Sequence, residues 1–99
     1  MERYLVYYMN KDYNNEGNAK CGLYRIVEVW DSVEDDRLTN ERKAIEKWKR
    51  ATNCEFLQIK LQEVIDDNPV WTATEIFDEG QTDGEWYVIV QHLPKFIKR

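Results

Sequence analysis

One segment with helical periodicity interrupts a chain that otherwise reads as strands, and no other feature limits the fold as much. From Asn40 to Ala51, apolar residues fall at Ala44, Ile45, Trp48 and Ala51, the spacing of one helix face, while bases cover much of the remainder. Thr39 suits the N-cap, where its hydroxyl would accept a hydrogen bond from an unpaired amide, and Asn53 suits the stop. Before the helix, residues 3–10 (RYLVYYMN) and 23–30 (LYRIVEVW) are rich in Val, Ile, Tyr and Trp and read as strands joined by the long hairpin loop KDYNNEGNAKCG. After it, Leu57, Ile59 and Leu61 alternate with Gln58, Lys60 and Gln62, which predicts a third strand with one wet face. A helix through Leu57, Leu61 and Val64 fits that stretch less well. DDNP at 66–69 is turn chemistry. Val70 to Phe77 and Glu85 to Gln91 supply a fourth and fifth strand around the loop DEGQTDG.

The order ββαβββ predicts a single α+β domain over residues 1–99, since a chain of this length forms one core. The expected architecture is a mixed, mostly antiparallel five-stranded sheet with the helix packed on one face through Ala44, Ile45 and Trp48. A strand, helix, strand crossover within one sheet leaves its two strands parallel. Asp31, Glu34, Asp35 and Asp36 should therefore arrive at the same end of the sheet as Asp66 and Asp67, while Asp78, Glu79, Asp83 and Glu85 belong to the other end. One helix covers only one face, yet the first strand is apolar on both, with Tyr4, Val6 and Tyr8 against Leu5, Tyr7 and Met9. The fifth strand repeats this with Tyr87 and Ile89 against Trp86, Val88 and Val90. The second face calls for the C-terminal segment with Leu93, Phe96 and Ile97, a second copy in a homodimer, or a partner protein.

Net charge is −5, but its distribution matters more. Residues 63–85 hold eight acids and no base, whereas the helix carries Arg42, Lys43, Lys47, Lys49 and Arg50. An acidic block repels phosphate, so direct nucleic-acid binding is disfavoured. The same block would attract a basic groove on another protein, raising the on-rate and imitating nucleic-acid charge. The plainer reading of an acidic surface is solubility, and that of the basic helix face is the solvated side of an amphipathic helix.

Catalytic chemistry has little to draw on. Ser32 is the only serine and His92 the only histidine; the topology puts both at one end of the sheet, without an orienting third group or an oxyanion site. The acids Asp31, Asp35, Asp36, Asp66 and Asp67 offer oxygen ligands for a divalent ion and thus a metal-dependent hydrolase or nuclease. Against this, Glu34, Asp35 and Asp36 are consecutive, so their side chains diverge, and acids favour the start of a helix for structural reasons. DYNNEG at 12–17 matches the opening of a calcium loop but places Leu23 where the bidentate glutamate belongs. There is no glycine-rich phosphate loop, HExxH or CxxC. Sheet aromatics could stack a nucleotide, as a sponge would, although the acidity opposes it.

The N-terminus lacks a secretory signal, and the longest apolar runs, Leu5 to Met9 and Trp86 to Val90, fall far short of the roughly 20 residues a membrane helix needs. Cys21 and Cys54 are too few for a disulfide scaffold and are expected to be reduced thiols in a cytoplasmic protein. The expected function is non-catalytic and cofactor-free, with Asp31, Glu34, Asp35, Asp36, Asp66, Asp67, Asp78, Glu79, Asp83 and Glu85 forming the partner-binding surface. In compactness, acidity and aromatic content the chain is similar in general style to phage accessory proteins and mobile-element inhibitors that occupy a basic nucleic-acid-binding surface.

Overall fold

The computed structural model describes residues 1–10, 21–76 and 82–94, and the side chains of these except 10, 21, 75, 76 and 82–85. Five strands and one helix follow in the order β1 (Glu2–Asn10), β2 (Cys21–Val29), α1 (Arg37–Thr52), β3 (Leu57–Ile65), β4 (Asn68–Ile76) and β5 (Thr82–Leu93). They build one sheet ordered β2-β1-β5-β4-β3, in which every neighbouring pair is antiparallel. The α+β domain with ββαβββ order is as expected; the mixed sheet resolves to a fully antiparallel one for a definite reason. β2 and β3 do run the same way, but the crossover through α1 spans the whole sheet and leaves them on opposite edges. β5 comes back into the middle to pair with both β1 and β4. Among the described residues, no helix is long and apolar enough to cross a membrane.

The helix packs through the residues its period marks out: Ala44, Ile45 and Trp48 are buried, Trp48 completely. They meet Tyr4 and Val6 of β1, Val27 and Val29 of β2, Leu57 of β3, Trp71 and Ala73 of β4, and Val88 of β5. Rings of this size bury roughly 150 to 250 Å² each, so Trp48 and Trp71 dominate the core. The indole Nε1 of Trp48 donates to the Leu23 carbonyl at 2.6 Å. Leu23 itself stands at φ 56, in the left-handed region, beside a register shift of β2 against β1. Cys54 is fully buried beside Thr52, its sulfur 3.0 Å from the hydroxyl, and burial pushes its thiol above the ordinary value. A buried, protonated thiol of this kind packs as a small apolar group; the side chain of Cys21 lies outside the described residues.

The helix start and the β3–β4 turn differ from the pattern-based reading. The N-cap is Asp36, three residues before Thr39, and its carboxylate accepts both the Thr39 amide at 3.0 Å and the Thr39 hydroxyl at 2.6 Å. Thr39 is thus the capped residue, and the helix gains a full turn at its start. Asn53 does close the helix, at φ 56 and ψ 35. The β3–β4 hairpin turns on Asp66 and Asp67 alone, both at positive φ, with Ile65 opposite Asn68. Asn68 and Pro69 accordingly belong to β4. Pro69 costs that strand nothing against β5, because their pairing starts at Trp71.

The face of the sheet away from α1 exposes Tyr24 and Ile26 of the edge strand β2, and Trp30 just beyond it is exposed as well. Leu5, Tyr7, Tyr87 and Ile89, nearer the middle, are half-buried. Leu93 is half-buried at the end of β5, whereas Phe96 and Ile97, part of one of the three covers the sequence offers for this face, lie outside the described residues.

Candidate acidic pole and adjoining cleft

Because β2 and β3 run the same way, their C-terminal ends share one end of the sheet, and the start of α1 ties those ends together. Arg37, the first helical residue, donates from Nη1 to Asn68 Oδ1 at 2.5 Å, across 31 residues of sequence. Asp36 precedes one partner of that bond, and Asp66 and Asp67 precede the other. The two Asp-rich segments therefore flank a single contact, and Asp31, Glu34, Asp35, Asp36, Asp66 and Asp67 are all exposed. Among the described residues, only Asp36 of these six uses its side chain in a hydrogen bond. Its bonds to Thr39, chiefly the one from the hydroxyl, hold the carboxyl below the usual aspartate range. Lys43 reaches back to the Asp31 carbonyl at 2.5 Å, and with Arg37 it offsets part of the local negative charge. Asp78 and Glu79 lie outside the described residues, as do the side chains of Asp83 and Glu85 in β5.

Beside this pole, the first half of α1 stands off the ends of β1 and β5 and leaves a cleft of about 970 Å³. Glu2, Tyr4, Ser32, Glu34, Glu41 and His92 contribute to its walls. Glu41 is the organising group. It occupies an inward position of α1 and is 3% exposed; its Oε1 accepts the Trp71 indole N–H at 2.8 Å and its Oε2 accepts Arg37 Nε at 2.6 Å. A buried carboxylate is tolerated only with such partners. Arg42, one residue along, stacks over the Trp71 ring at 5.1 Å from its centroid. Asn40, also buried, closes the loop before the helix by accepting the Val33 amide at 2.8 Å and donating to the Val33 carbonyl at 2.6 Å.

On the opposite wall, Glu2 Oε1 lies 2.6 Å from His92 Nε2, joining the start of β1 to the end of β5. The Tyr4 ring packs against the His92 imidazole with centroids 5.0 Å apart. Burial raises the Tyr4 phenol above its ordinary value, and the carboxylates of Glu2 and Glu41 add to the effect. Ser32 and His92 do reach the same cleft, with Glu2 as an orienting group that sequence reasoning did not find. Among the described residues, however, no hydrogen bond links the Ser32 hydroxyl to the His92 ring. Nor does any group of three His, Cys, Asp or Glu side chains converge closely enough to hold a metal ion.

Glu2, Arg37 and Glu41 were all missed from sequence. Glu2 and His92 are 90 residues apart and leave no local trace. Glu41 did leave one: it extends the inward series 41, 44, 45, 48 by one member, so an acid occupies a core-facing position. No family model, no curated protein and no solved structure matches this chain.

Proposed function

We propose that this protein is a non-catalytic binding module that docks its acidic pole on a basic surface of another protein and blocks or modulates what that surface does. The observation that carries this reading is the Arg37–Asn68 bond, which brackets two separate acidic segments at one end of the molecule. The chemistry of the turn adds support. Two residues at positive φ are best served by Asn-Gly, so two aspartates there supply charge that the backbone does not require. A cluster of exposed carboxylates, of which only Asp36 has a side-chain hydrogen bond among the described residues, raises the rate of encounter with a basic patch and suppresses competition from nucleic acid. A partner that ordinarily holds a phosphate backbone would present the right charge, and this module would then act as an inhibitor.

The test uses a variant that loses charge without losing shape: Asp31→Asn, Glu34→Gln, Asp35→Asn, Asp66→Asn and Asp67→Asn together. Asp36 is kept because it caps the helix, and Asn tolerates the left-handed turn positions. Wild-type protein immobilised on beads should retain a lysate partner at about 50 mM salt and release it at about 500 mM, where screening shortens the Debye length severalfold. The neutralised variant should retain little at either. Equal retention by the two proteins, or retention indifferent to salt, overturns the proposal.

A further inference from the structure

The two edges of the sheet are finished differently. β3 exposes Gln58, Lys60, Gln62 and Glu63, and its exposed apolar residues, Val64 and Ile65, come only after a register shift between Leu61 and Glu63 that interrupts its ladder. A lysine in mid-strand and a bulge both keep a further strand from adding. β2 has its irregularity near its start, and residues 25–29 pair regularly with β1. There it exposes Ile26 at 57%, with Tyr24 at 58% just before, next to the irregularity, and Trp30 at 61% just beyond; the Tyr24 ring stacks on Tyr7 at 4.6 Å. On the helix side the same edge changes sign along its length. Arg25 shares a shallow groove with Lys47 and Arg50, while past the other end of the strand Asp31, Glu34 and Asp35 are exposed.

We propose that β2 is a homodimer interface, to which a second copy of this chain adds its own β2 antiparallel about a two-fold axis at Val27. Two five-stranded sheets then become one continuous sheet. Antiparallel addition reverses direction, so the basic end of each edge meets the acidic end of the other, twice over. With Val27 on the axis, Arg25 opposes Val29 of the second copy and lies diagonal to its Asp31, and Tyr24 opposes its Trp30. The mismatched pair in this register is Ile26 against Glu28. Parallel addition would instead set like charges side by side. This proposal is separate from the acidic-pole reading, with which it shares only Asp31 and its neighbours at the end of β2.

Sedimentation equilibrium on the full chain from about 1 to 200 µM tests it, a range that reaches interfaces of modest area. The wild type should associate to a dimer. Ile26→Lys, at a position already half in water, should raise the dissociation constant on the order of ten-fold or more with an unchanged circular dichroism spectrum. Arg25→Glu and Asp31→Lys should each weaken self-association by placing like charges together. An equimolar mixture of those two should recover a heterodimer, because both cross-interface pairs regain opposite charge. A monomer throughout the range, a dimer indifferent to Ile26→Lys, or a mixture no tighter than its components overturns the proposal.

Discussion

The two halves of α1 rest on the sheet by different means. The C-terminal half is apolar and closed: Ala44, Ile45 and Trp48 are buried, and the one polar atom of the Trp48 side chain is used on the Leu23 carbonyl. The N-terminal half is polar and open: Glu41 meets Trp71 through a hydrogen bond, Arg37 spans to Asn68, and the cleft begins where close packing ends. Interiors pack with few vacancies, and here the cleft lies where hydrogen bonds rather than side-chain volume set the spacing. The helix is thus anchored at one end, and at the other it is held off the strands by a buried carboxylate.

The sharpest way to break this contrast is at the packed end. Trp48→Ala removes the largest fully buried side chain among the described residues and should cost about 3 to 5 kcal/mol, a large share of the roughly 5 to 15 kcal/mol available to a domain of this kind. Denaturant midpoints at constant slope measure it. A loss under about 1 kcal/mol would show that the packed half is not the anchor.

Glu41→Ala at the open end should cost less, about 2 to 3 kcal/mol, because the Trp71 indole is left without an acceptor while Arg37 remains half in water. Glu41→Gln keeps an acceptor for the indole and should recover much of that loss. The Trp71 indole N–H resonance provides the local readout: it should move strongly in the alanine variant and little in the glutamine one. Equal shifts would mean that the carboxylate's charge, rather than its position as acceptor, holds Trp71.

The same contrast governs what could be read from the chain. The packed half announced itself, since Ala44, Ile45 and Trp48 repeat at helical spacing and a period is a local property. The strand directions also followed from the crossover, and with them the shared end of the two acidic segments. What lay between the crossover strands did not, because nothing local to residues 82–93 says that β5 returns to the centre of the sheet. The cap was misplaced by the charge run itself: in DSVEDDRLTN several residues can cap, and only the backbone decides that Asp36 does. The polar contacts of the open half join residues 30, 31 and 90 positions apart, and such pairs carry no periodic signature.

The smallest effect expected at the open end concerns that cap, and it carries a sign. Asp36 has a folded value held below its ordinary 3.8 by the Thr39 bonds, so its charged form is favoured in the native state. Its contribution is complete above the unfolded value and is lost as pH falls through the lowered folded one. Asp36→Asn retains a side-chain oxygen for the Thr39 amide but no charge for the helix start. Wild type should therefore melt slightly higher than Asp36→Asn at neutral pH, and the gap should close as the solution is acidified below the ordinary aspartate range. Salt should narrow the neutral-pH gap as well, since the carboxylate is fully in water. A gap that widens toward acid would place the native preference on the protonated carboxyl. The start of α1 would then have to be held chiefly by Arg37 and Glu41, the two residues that already bond it to β4.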